Sequence, residues 1–344
     1  MGRDGGTITS SSDGRSDRGR DAEAPSEIPA RGWKDVALRV KDEVADDHMV
    51  LAAAGVAFFG FLAVIPALAA LVSIAGLVTS PADAADRVES LFGGLPAEAK
   101  ELLSNQLESM AGQSSGSLSL GLIVAIALSL WSASAGMGHL IEGINLAYDE
   151  HDDRNVVVRK ARALLLTLGA IVFLVAAVVG LAALPALLDA TALPSWLQAV
   201  LQVVFWPALM IGFGVGLAIL YRFGPDRDEP EWRWVSWGVV IAVVLWIIAS
   251  AGFRIYTATF GSYSESYGSL AAVVVLLMFL FITSFVVLLG AEINSELEHQ
   301  TAHDTTVGPD EPIGERDAVV ADTVGAPADS SDRTVVTQQP GGPR

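Results

Sequence analysis

Apolar residues gather into six long runs, at about Val50–Val78, Leu118–Leu140, Ala163–Leu188, Trp196–Phe223, Trp234–Ala258 and Ser269–Gly290, with polar connections between them. Each run reaches the roughly 20 residues that a helix needs to cross a hydrocarbon core about 30 Å thick. The runs are too long for buried strands. An open strand in lipid would also leave its backbone N–H and C=O groups without partners. The pattern predicts an all-α polytopic membrane protein with six transmembrane helices.

Two shorter stretches carry a helical period of their own. Trp33, Val36, Ala37, Val40 and Val44 recur on one face between residues 32 and 48, with Lys34, Asp35, Arg39, Lys41, Asp42 and Glu43 elsewhere. This predicts an amphipathic N-terminal helix, either lying on the membrane surface with Trp33 at the headgroups or packed against a loop. The long connection Thr79–Ser117 predicts a helical hairpin between spans 1 and 2. Ser80 and Pro81 open its first arm. Gly93, Gly94 and Pro96 break it, and a second arm runs from Ala97 to Met110. Such a hairpin is either a gate or a structural lid. Residues 1–30 and 299–344 hold too few bulky apolar side chains to offset chain entropy and are expected to be disordered. The expected division is therefore a disordered N-terminus, a six-helix membrane domain over 31–298, and a disordered tail.

Charge orients this arrangement. Arg31, Lys34, Arg39 and Lys41 precede the first run, Arg154, Arg159, Lys160 and Arg162 lie between the second and third, and Arg222, Arg227 and Arg233 lie between the fourth and fifth. Arg316, Arg333 and Arg344 are in the tail, whereas the other side has Arg87 and Lys100, with Arg254 near an edge. Basic residues stay inside, so both termini are expected in the cytoplasm, the amphipathic helix with them, and the hairpin outside. The net charge of −18 does not oppose this, because acidic residues contribute little to topology. No cysteine is present, which excludes disulfides, thiolate metal sites and cysteine nucleophiles. No cleavable signal peptide is apparent, and the first span is expected to act as an uncleaved signal.

Ionisable and polar residues at membrane depth point to function, because they are costly there. His139, Glu142 and Asn145 share a face at the inner end of the second span, and Glu292 and Asn294 stand at the inner end of the sixth. Arg159 and Arg162 are natural counter-charges for them. At the outer side Arg254 is placed to pair with Glu265. The candidate polar residues are thus Glu142, Asn145, Glu292, Asn294, Arg254 and Glu265. Glu142 and Glu292 read either as interfacial ion-pair partners or as transport-coupling carboxylates. Leu130-Trp131 with Ala133-Ser134-Ala135-Gly136, and Leu245-Trp246 with Ala249-Ser250-Ala251-Gly252, read as either an inverted repeat or a chance similarity of small-residue helices.

The stretch from Leu130-Trp-Ser-Ala-Ser through Leu140, Asn145 and Tyr148, followed by Arg159-Lys-Ala-Arg, resembles the YihY/BrkB family of bacterial inner-membrane proteins. So do Phe253-Arg-Ile-Tyr256, Tyr267-Gly-Ser-Leu-Ala and Leu288-Leu-Gly-Ala-Glu292-Ile-Asn294, with Pro66 in the first span. Met278 departs from the tryptophan often found in the sixth helix of that family. The resemblance covers about residues 35–298 and implies a multi-pass protein of the cytoplasmic membrane, with a transporter or envelope lipid-handling role. The alternative is a non-transporting scaffold. The older ribonuclease BN label does not fit these residues, since the five histidines form no compact ligand motif of the kind a metal-dependent nuclease needs. No enzymatic activity, cofactor or nucleic-acid partner is expected. Expected partners are membrane lipids and a small-molecule or lipid substrate, with homo-oligomerisation open. No P-loop is present, so transport would be secondary, facilitative or powered by another subunit.

Overall fold

The computed structural model describes residues 17–75, 89, 97–111, 120–189, 191, 193–259 and 269–327. Regular structure among them is helical: α1 (Ala30–Asp46), α2 (Met49–Ala75), α3 (Ala97–Ala111), α4 (Leu120–Ala147), α5 (Val156–Asp189), α6 (Ser195–Phe223), α7 (Trp232–Thr259) and α8 (Ser269–Glu298). A short 3-10 turn at Pro25–Glu27 precedes them. Extended backbone pairs at one isolated bridge, between Pro230 and Thr306. The six long helices fall on the six apolar runs, but α5 extends past its run through the basic turns 156–162, and α4 and α8 extend past theirs through polar turns that carry glutamates. Among the described residues, four helices are long and apolar enough to cross a membrane, and the bent pair α1–α2 makes five.

Neighbours in sequence are neighbours in space. α2 packs on α4, α4 on α5, α5 on α6, α6 on α7 and α7 on α8, and α8 closes the ring against α2 and α4. The α7–α8 seam is tight because it has no side chain in two places. A Cβ on Gly238 would run into the Gly290 carbonyl and Asn294 Oδ1, and one on Gly290 would sit 2.7 Å from Ala242 Cβ. Tyr221 from α6 closes the same seam, its hydroxyl donating to the Val287 carbonyl at 2.7 Å. Met49, Ile144, Tyr148, Leu217 and Leu288 are buried around it. The outer surface is apolar instead, with Val172, Val203, Trp206, Ile211, Val240 and Ile248 exposed. Apolar surface on this scale suits lipid rather than water as solvent.

The amphipathic helix is packed against protein. Val36 and Val40 of α1 share a cluster with Trp234, Ile293 and Leu297, and the Trp33 ring meets Trp237 edge-on at 5.6 Å. α1 and α2 meet at 65°. The bend is made at His48, which takes a left-handed φ of 50°, the usual way a helix is stopped just past its C-cap. α3 coincides with the expected second arm of the hairpin. It buries Ala99 and Leu103 and packs on α2 and α8. Apart from Glu89, which lies 3.6 Å from Lys100, the first arm falls outside the described residues.

Both ends correct the expectation of disorder. Residues 17–28 and 299–327 interlock beneath the bundle, and Ala22, Gln300, Thr301, Thr305, Arg316 and Val320 are buried there. Arg20 donates to the carbonyls of Gln300 and Gly325, and Ala302 N–H donates to the Arg20 carbonyl at 2.9 Å. Arg316 donates to the carbonyls of Glu311, His303, Ala302 and Ala321. Order in these segments comes from arginine side chains satisfying loop carbonyls together with burial of a few apolar residues, Ala22, Ile28, Ala318, Val320 and Ala321. A hydrophobicity argument does not detect it. Residues 1–16 and 328–344 lie outside the described residues.

Candidate functional site

The last turns of α4 and the first turns of α5 splay apart and leave a cleft of about 880 Å³. Its apolar wall includes Ala127, Leu130, Trp131 and Leu164, and its polar end includes His139, Glu142, Asn145, Arg159, Lys160 and Arg162. Helix α5 begins beside α4 rather than at its tip, so its basic first turns stand against the side of α4. Lys160 Nζ thereby lies 5.2 Å above the Trp131 ring, a cation–π arrangement.

Around the cleft, most charges are committed. Arg154 Nε is 2.7 Å from Asp152 Oδ1 and 3.3 Å from Asp226 Oδ1, and its Nη2 donates to the Gly224 carbonyl at 3.1 Å. The Arg154 hydrogen bond holds the Asp152 carboxyl below its ordinary range. Arg159 lies 3.5 Å from Asp152. Arg162 donates to the carbonyls of Phe223 and Pro225, each at 3.2 Å. Glu150 Oε1 accepts the Val319 N–H at 2.8 Å, and burial pushes the Glu150 carboxyl up to about 7. The expected pairing of Arg159 and Arg162 with Glu142 and Glu292 is therefore not what forms. Their partners come from the loops that follow α4 and α6.

Of the candidate residues, Glu142 and Asn145 line the cleft, and Glu292 and Asn294 do not. Glu142 is an exposed carboxylate with its Oε2 3.3 Å from His139 Nδ1. His139 in turn stacks on Phe59 of α2 at 4.4 Å. Asn145 is buried, and its Oδ1 accepts the Asp226 N–H at 2.7 Å, which fixes the α6–α7 loop against α4. Asn294 does the corresponding work across the α7–α8 seam, accepting the Gly238 N–H at 2.7 Å. Glu292 is buried with Oε2 lacking a hydrogen-bond partner, and the charged groups that act on it most, Glu296, Asp47, Glu43 and Asp149, are acidic, Glu296 itself being paired with Arg39 and His299. Arg254 is exposed near the far end of α7, and Glu265 lies outside the described residues. The two tryptophans of the repeat-like motif differ in setting. Trp131 is 68% exposed at the cleft, whereas Trp246 donates to Thr283 Oγ1 at 3.1 Å inside the bundle.

One buried ion pair had no signal in the sequence beyond two charged letters at element ends. Arg227 Nη2 lies 2.7 Å from Glu298 Oε2, and both side chains are fully buried. The guanidinium sits 4.9 Å above the Tyr148 ring, and Thr305 Oγ1 donates to Glu298 Oε2 at 2.8 Å. This pair ties the α6–α7 loop, the end of α4, the end of α8 and the tail into one unit.

A family model described as Virulence factor BrkB matches residues 40–313. The chain belongs to the BrkB family. The match takes in all six long helices and the first part of the packed tail, so this BrkB-family boundary agrees with the structure in extending past Glu298. Among relatives, the putative ribonuclease-like protein YfkH of Bacillus subtilis is 28% identical over 71% of this chain and 88% of that one. UPF0761 membrane protein IL2447 of Idiomarina loihiensis is 25% identical over 61% of this chain and 72% of its own. A UPF0761 membrane protein of Tolumonas auensis is 37% identical over a shorter stretch, 24% of this chain and 27% of that one. No solved structure matches this BrkB-family chain. Among the described residues, no group of three His, Cys, Asp or Glu side chains is arranged to hold a metal ion.

Proposed function

We propose that this BrkB-family protein crosses the bacterial cytoplasmic membrane six times, with its basic end inside. In this reading it takes an amphiphile through the α4–α5 cleft, as a transporter or in envelope lipid handling. The observation that carries this reading is the cleft itself. It has an apolar wall continuous with the exposed surface of α5 and a polar end lined by arginine, lysine and glutamate, which matches a molecule with one apolar and one polar part. Glu142 and Asn145, which line the cleft, are the residues we take to meet that molecule. Glu292, buried with no ion pair among the described residues, is our candidate coupling carboxylate, since an intramembrane ionisable group is by default a functional-site hypothesis.

The absence of native cysteine makes accessibility the direct test. Single cysteines at Glu142 and Ser134 report the cleft, one at Arg233 reports the basic end, and one at Arg254 reports the opposite end. With a membrane-impermeant maleimide, Glu142→Cys and Arg233→Cys are expected to react from the cytoplasmic side and Arg254→Cys from the other. Protection of both cleft positions, with the two end positions labelled correctly, would leave a sealed bundle and favour a scaffold.

A further inference from the structure

We propose that the mouth of the α4–α5 cleft binds the headgroup of an anionic phospholipid. Lys160 and Arg159 would hold its phosphate, and an acyl chain would lie along Leu130 and Leu164. This rests on the reading that the cleft admits an amphiphile, and adds its chemical class. The argument begins with which charges are left over. Three carboxylates line the cleft against four basic side chains, Arg154, Arg159, Lys160 and Arg162. Asp152 is shared by Arg154 and Arg159, Glu150 accepts from Val319 N–H, and Glu142 faces His139. Arg162 is spent on two carbonyls. Lys160 makes no ion pair among the described residues and stands over the Trp131 ring. Arg159, its side chain 44% exposed, holds Asp152 at the longer 3.5 Å. The balance of charge at the mouth is therefore positive, and its exposed cations, Lys160 and Arg159, are free to turn toward a ligand.

The apolar part of the cleft separates a lipid from a free anion. A soluble phosphate would touch the rim and leave the wall of Ala127, Leu130 and Leu164 unused. The wall continues into Leu165, Leu168 and Val172, which α5 exposes along its outer face, so a chain leaving the cleft enters lipid directly. Basic pockets between helices at the inner side of a membrane bind anionic headgroups for this combination of reasons. Trp131 completes the site by holding the lysine ammonium where headgroup and chain meet.

Quenching of Trp131 tests the proposal in the full-length protein reconstituted in phosphatidylcholine nanodiscs. The Trp131 signal is taken as the difference between wild type and Trp131→Phe. Phosphatidylglycerol and phosphatidylcholine, each with brominated acyl chains, are compared as quenchers. Inorganic phosphate is added as competitor at matched ionic strength. The expected result is quenching at a lower mole fraction of phosphatidylglycerol, a preference that falls about fivefold for each cation removed in Lys160→Gln and Arg159→Gln, and no relief by phosphate. Both substituted side chains are solvent-facing, and an unchanged size-exclusion profile verifies that the variants fold. Equal quenching by the two lipids, unaltered in the variants, would overturn the headgroup assignment and leave the amphiphile cleft standing. Relief by inorganic phosphate would assign the site to a free anion and overturn the lipid. Quenching by neither lipid would remove both readings.

Discussion

Glu298→Gln is the substitution whose consequence is most directly calculable. At the observed 2.7 Å between Arg227 Nη2 and Glu298 Oε2, an effective dielectric of about 20 gives a gross attraction of about 6 kcal/mol. Burying two ions costs several kcal/mol each, so the intact pair contributes little net stability. Compensation is also incomplete, because Arg227 Nη1 and Glu298 Oε1 have no hydrogen-bond partners. Removing one charge is different. The Arg227 guanidinium would stay buried over Tyr148 without its contacting counter-ion, Glu150 being the carboxylate that still acts on it, at a cost of about 3–5 kcal/mol. That is a large share of a typical folding free energy of about 5–15 kcal/mol. Thermal unfolding of detergent-purified protein, followed by differential scanning fluorimetry, should show Tm falling on the order of 5–10 °C. Replacing both partners, as Arg227→Met with Glu298→Leu, removes the stranded charge and should recover most of the loss. A Glu298→Gln shift below about 2 °C, or a double variant no more stable than the single one, would refute the reasoning.

Gly238→Ala would drive a methyl into the Gly290 carbonyl and Asn294 Oδ1, so the α7–α8 seam must part; a loss of about 1–3 kcal/mol or more is expected in a denaturant titration, whereas Gly216→Ala, with open space around its position, should be neutral. Burial raises the Asp47 carboxyl from 3.8 and the Glu150 carboxyl from 4.5, each to about 7. Both therefore bind protons more tightly when folded. Their contribution to stability is fully present below the unfolded values and lost as pH rises through about 7, so Tm should fall between pH ~5 and ~8, and Asp47→Asn with Glu150→Gln should flatten that slope. Arg316→Ala removes donors to four loop carbonyls and should open residues 299–327 to limited proteolysis while the helices stay protected. Glu292→Gln takes away a buried carboxylate with acidic neighbours and should leave Tm equal or higher; a marked fall would show that the carboxylate has a stabilising partner.

The helices were legible because their signal is local. A run of apolar residues long enough to span lipid leaves the backbone one way to satisfy its hydrogen bonds, whatever lies around it. Gly290 and Asn294 were visible as a motif, but their task was not. It depends on Gly238 and Tyr221, which approach from two other helices. Glu142 and Glu292 were read together because they share a depth, and helix rotation, which no single span encodes, separates them. Glu142 faces the α4–α5 cleft and Glu292 the buried face among α1, α2 and the end of α4.

Sequence by itself settled the all-helical class, the positions of the long helices and the basic end of the bundle, since each follows from composition within one segment. Tertiary structure alone decided which polar residues meet. It brought Arg227 to Glu298, Asn145 to the α6–α7 loop and Lys160 to Trp131, and it ordered a polar tail in which Ala318, Val320 and Ala321 are buried. Those contacts are fixed by how helices rotate and how loops return across the ends of other elements. At the buried contacts among them, charged side chains and backbone carbonyls far apart in the chain satisfy one another because burial takes away their water.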